Sequence, residues 1–133
     1  MKFHVAARAL LLGLVAVPVH SESATMSGKP LTGTWVMCQD PDHSPPDSLT
    51  FHPEGYGFEH RPDKPKYPFL FKETGEKLLL LVNARGDLIQ IHMMVNPART
   101  RLFLKSDKTG SESFYVRQGQ EKENSCSTWQ PHF

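Results

Sequence analysis

The chain has 133 residues, with 15 Lys+Arg against 14 Asp+Glu, so nothing in its charge pulls it toward nucleic acid or anionic lipid. Its length suits one domain with a modest core rather than a multidomain enzyme.

Residues 1–21 read as a cleavable secretory signal forming an N-terminal signal helix. Lys2 and Arg8 precede an apolar run over 9–17, Pro18 breaks it, and Ser21 offers a small residue at the exit. The run is shorter than the ~20 apolar residues that a bilayer span needs. Its removal leaves 13 Lys+Arg against 14 Asp+Glu and sends the remainder to the periplasm or the cell exterior. Residues 22–30 are polar, with Ser, Gly and Pro, and are expected to be a flexible N-terminal segment.

From Leu31 onward short alternating segments are separated by turn residues, the pattern of an all-β domain. Strands are predicted at 32–38, 48–52, 56–60, 67–72, 77–82, 87–95, 101–105 and 111–117. Pro41, Pro45 and Pro46 keep 39–47 out of any ladder, and 61–66 is a second Pro-rich loop. Pro53-Glu54-Gly55, Thr74-Gly75-Glu76 and Asn83-Ala84-Arg85-Gly86 are tight turns. Residues 119–133 form a polar tail carrying Cys126 and Trp129. Eight short strands joined mostly by tight turns predict a small antiparallel up-and-down barrel over 31–118, since closure removes both sheet edges. Cys38 ends the first predicted strand and Cys126 lies beyond the last. In an oxidising compartment this even pair is most simply a disulfide, tying the tail back to the barrel. Two free thiols or a metal pair are the alternatives, although no CxxC or Cys/His spacing supports zinc.

Alternation assigns faces. Trp35, Leu49, Phe51, Phe69, Phe71, Ile89, Ile91, Met93, Leu102, Leu104, Phe114 and Val116 are expected inside, large enough together to fill a short barrel. His92, Met94, Phe103 and Tyr115 are then expected outside, as an apolar-aromatic patch suited to a protein partner. Burial of that patch under the tail, with Trp129 and Phe133, is the alternative.

The start of the first strand, Gly33-Thr34-Trp35, with Arg117 ending the last, resembles the lipocalin and calycin superfamily, and in particular small bacterial lipocalin-like domains. That resemblance implies that Trp35 packs across the barrel base against Arg117, with Gly33 part of the same structural motif. It covers 31–118, but the strands are shorter than in full-length lipocalins and no large capping helix is evident. The layout also resembles periplasmic inhibitors of secreted metalloproteases, small G-x-W barrels with a signal, one disulfide and a flexible front segment. Their disulfide closes a short N-terminal loop, whereas this one would close nearly the whole domain.

Catalytic signals are sparse. His43, His52, His60 and His92 are expected to be solvated strand-end residues rather than metal ligands, although His52 and His60 flank one hairpin. There is no G-x-S-x-G elbow, no phosphate loop, and no Cys poised beside a His. Glu54, Glu59, Asp63, Glu73 and Glu76 are expected in turns or on solvated faces, and Arg85-Gly86-Asp87 as a chance turn sequence. The sequence therefore predicts no enzyme and no cofactor. It predicts an exported protein-binding domain, an inhibitor or immunity protein neutralising a partner enzyme or toxin. A lipocalin-like carrier of a small apolar ligand is the alternative.

Overall fold

Period-two alternation produces eight strands in the computed structural model, which describes residues 28–39, 41 and 46–126. The expected signal segment over residues 1–21, His43, Trp129 and Phe133 lie outside the described residues. The strands are β1 (Gly33–Gln39), β2 (Ser48–Phe51), β3 (Tyr56–His60), β4 (Tyr67–Thr74), β5 (Lys77–Ala84), β6 (Asp87–Val95), β7 (Arg101–Lys105) and β8 (Glu112–Arg117). Each pairs antiparallel with the next, and β8 returns to β1, closing an all-β barrel compatible with a lipocalin-like one. β4 and β5 run further than predicted because two-residue turns join β4–β5 and β5–β6. At Arg85-Gly86 both φ angles are positive, 57° and 90°, the turn whose twist matches antiparallel strands.

The two ends of the barrel differ. One end carries the start of β1, the end of β8 and the β2–β3, β4–β5 and β6–β7 turns. It is plugged by aromatic side chains: Phe51 makes edge contacts with Phe69 at 5.2 Å and Phe71 at 5.0 Å. Trp35 is 0 % exposed there, and its Nε1–H donates to Leu31 O at 2.8 Å. The Arg117 guanidinium sits 4.4 Å from the Trp35 ring centroid and donates to Thr32 O at 3.1 Å and Pro30 O at 2.6 Å. Arg99 forks onto Glu73 at 2.8 and 3.0 Å and donates to Lys29 O. Lys29 and Pro30, read from sequence as the end of a flexible segment, are thus tied to the barrel base. Glu73 is correspondingly shielded, with 6 % side-chain exposure, and not solvated as expected. Gly57 of β3 has a packing reason: a Cβ there would overlap the Thr50 carbonyl oxygen and the Phe69 ring.

The face of β8 is opposite to the one expected. Trp35 pairs with Arg117, Val36 with Val116 and Met37 with Tyr115. Directly paired residues share a face, so Tyr115 turns inward, 2 % exposed, while Phe114 and Val116 turn outward. Val36, Cys38 and Val116 form a second small core outside the barrel, with Phe114 and Cys126 packed against it. The Cys38–Cys126 disulfide, with Cα atoms 4.9 Å apart, holds the chain after β8 over this face. Such a bond is consistent with an extracellular or periplasmic location. A ladder irregularity between Met37 and Gln39 falls at Cys38.

Candidate functional site

At the other end, the β3–β4, β5–β6 and β7–β8 connections flank an opening among the described residues. The aromatic plug does not reach it, and a cavity of about 320 Å³ remains inside the strands. Its apolar wall is Leu49, Leu80, Val82, Ile89, Ile91, Met93 and Leu104, with Ala84 at the rim and Tyr67 and Tyr115 beside the polar side. Residues with shorter side chains than the Phe rings below leave this space unfilled. The expectation of an interior filled throughout therefore holds at the plugged end and is corrected at the open one. A wider mouth of about 420 Å³ continues outward, sharing Asp47, Arg61, Ile91, Leu104 and Tyr115 with the inner cavity and adding Lys105, Asp107 and Lys108.

One side of this cup is polar. Asp47 directly precedes β2, where its carbonyl accepts the Met37 amide at 3.1 Å. Glu59 of β3 pairs with Leu49, and Leu49 faces inward, so the register turns Glu59 inward as well. Both carboxylates are buried, Asp47 at 9 % and Glu59 at 7 % exposure. This corrects the expectation of a solvated Glu59. Arg61, two residues beyond Glu59, bonds Glu59 Oε1 through Nε and Nη2, both at 3.0 Å, and reaches Asp47 Oδ2 only at 3.9 Å. Tyr115 of β8 faces the Asp47 carboxyl and favours its charged form, while the neighbouring Glu59 disfavours it. Asp47 Oδ1 is shielded from water and has no hydrogen-bond partner among the described residues.

Burial is the main force on this cluster's titration. It pushes Asp47 up to about 6, against the influence of Tyr115 and with help from the charge of Glu59. Burial likewise drives Tyr115 well above its ordinary value, with the Asp47 charge next in weight. The cup thus presents two carboxyls against one guanidinium, in a site with apolar walls.

The residues expected to form an outer patch are only partly together. Met94, 43 % exposed, pairs with Phe103, and Phe103 pairs with Phe114, all on the outer face. The Phe103 and Phe114 rings lie 6.1 Å apart, and Arg101 covers Phe114 at 4.8 Å. His92 is exposed beside Met94, where the outer face of β4–β6 is grooved. Tyr115 does not belong to this patch; Phe114 takes its place. His52 and His60 sit at opposite ends of the β2–β3 hairpin, since His60 pairs with Ser48 while His52 closes the turn against Tyr56. Among the described residues, no group of three or more His, Cys, Asp or Glu is placed to hold a metal ion.

Sequence reasoning missed the cup's polar side. The signal was present in the β2–β3 hairpin, where an inward Leu49 forces an inward Glu59 once the register is drawn. No family model, curated protein or solved structure matches this chain.

Proposed function

We propose that this is an exported barrel that binds a small, mostly apolar ligand in its open end. The cavity of about 320 Å³ carries the reading, because aromatic side chains plug the opposite end and leave this one empty. Ligand pockets begin near ~300 Å³ and combine apolar walls with a few polar anchors, which matches the aliphatic wall and the Asp47–Glu59–Arg61 cluster. The Trp35–Arg117 contact at the base supports a lipocalin-like relationship. The disulfide supports a periplasmic or secreted site of action. Native mass spectrometry of the protein purified from its own source tests this. The expected result is an adduct of a small molecule that dissociates on unfolding; a purely apo spectrum, together with no uptake of n-octanol or other short-chain amphiphiles, overturns it.

A second reading, an inhibitor or immunity protein acting on an enzyme or toxin, draws on the outer face of Met94 and Phe103. An apolar strand face of this kind favours a protein partner. It is compatible with a filled cup and is tested separately by Phe103→Asp.

A further inference from the structure

The cup's polar wall sets the carboxyls of Asp47 and Glu59 against the Arg61 guanidinium and the residues Tyr67 and Tyr115. Arg61 spends its close contacts on Glu59, at 3.0 Å, and stands 3.9 Å from Asp47. The Tyr115 hydroxyl faces Asp47 from β8 and favours its charged form. Asp47 Oδ1 remains unpartnered among the described residues although Asp47 is only 9 % exposed. Rotation of the carboxylate about χ2 exchanges its two oxygens, so either can meet a donor arriving from the cavity.

We propose that the ligand of this cup carries a protonated amine, which docks on the Asp47–Glu59 carboxyl pair while its apolar chain lies along the aliphatic wall. The inference rests on the reading of the cavity as a ligand site and adds the chemistry of the head group. An ammonium brings several N–H donors and the positive charge that two buried carboxylates facing one guanidinium lack. A ligand carboxylate would face like charge in a poorly solvated site. A hydroxyl would supply a donor without charge, and hydrogen bonds between charged groups are roughly twice as strong as neutral ones. The groups facing Asp47 are Glu59 from β3, Arg61 after it and Tyr115 from β8. His92 of β6, Lys105 at the end of β7, and Asp107 and Lys108 of the β7–β8 connection stand further out at the mouth.

The proposal sets a pH dependence. An ammonium needs ionised Asp47, whose proton is lost near pH 6 in the free cup. Amine affinity then falls about tenfold for each pH unit below that point.

Titration calorimetry of the full protein with n-octylamine, n-octanol and octanoate at pH 7.5 and pH 5 tests it. The expected order at pH 7.5 is amine, alcohol, carboxylate, with the amine about tenfold tighter than the alcohol. The amine should weaken about tenfold on moving to pH 5 while the alcohol stays level. Asp47→Asn should erase the amine's advantage. Glu59→Gln provides a second variant if the first fails to fold, and the pH series needs no variant at all. Equal binding of all three probes, or a preference for octanoate, overturns the head-group assignment and leaves the ligand-binding reading standing. Binding by none of them removes both.

Discussion

An aspartate buried in the wall of a cavity costs the folded state whenever it is charged. Asp47 has its folded pKa raised from 3.8 to about 6, mainly by burial. The sign follows from which state holds the proton more tightly. The folded chain does, so Asp47 favours folding below about pH 4, and that advantage is lost as pH rises through about 6. A shift of about two units corresponds to about 3 kcal/mol. Urea unfolding of the wild type and Asp47→Asn between about pH 4 and pH 7 should therefore diverge, the wild type losing about 2 kcal/mol relative to the variant over that window. Parallel curves would mean that Asp47 is better solvated than its 9 % exposure implies. Much of this residue-scale picture was readable. The lipocalin resemblance pairs Trp35 with Arg117, and the two stack at 4.4 Å. Asp47 and Glu59 were missed because carboxylates beside Pro-rich loops are usually solvated. Only the pairing of Glu59 with Leu49 reveals otherwise.

At the scale of the strand, β8 teaches how a face is assigned. Ser113-Phe114-Tyr115-Val116-Arg117 has apolar or aromatic groups at three successive positions, so alternation alone leaves its phase open. Arg117 resolves it. If Arg117 meets Trp35 inside the barrel, period two puts Tyr115 inside and Val116 outside. Val116 is nonetheless fully buried, because the disulfide holds Cys126 over it. A strand covered on both sides thus resembles neither a half-exposed strand nor a simple alternation. The outer strip that remains joins β6, β7 and β8 through Met94, Phe103 and Phe114. Phe103 is half-buried there, between Met94 and Phe114. Phe103→Asp should fold, with a loss of about 1 kcal/mol typical of a surface strand substitution. If this face holds a protein partner, the same change should weaken it by about 2 kcal/mol, roughly thirtyfold, as for an aromatic anchor. Surface binding assays against a candidate partner decide this; unchanged affinity would free the face of that role.

The whole molecule is a cup because its two ends are filled with different kinds of side chain. Closure was legible from strand count and turn spacing, since an open meander would leave two edges unpaired. The cavity was harder to read, because it depends on how rings and aliphatic chains share a narrow interior rather than on any pattern along one strand. Phe51, Phe69 and Phe71 gather at the base, whereas Val82, Ala84, Ile89 and Ile91 are left to line the opening. That asymmetry can be tested by abolishing it. Ile91 lies midway, shared by the inner cavity and the mouth, and is half-buried. Ile91→Trp would place an indole in the unfilled space, where it has room without displacing the plug. In a tight core such an enlargement costs about 1–3 kcal/mol, whereas filling an existing void gains about 0.5–2 kcal/mol. The expected outcome is a melting temperature equal to or above that of the wild type, with n-octylamine binding reduced at least about tenfold. A marked drop in melting temperature would mean that the strands already close on this space. Undiminished binding in a stable variant would move the ligand to another part of the molecule.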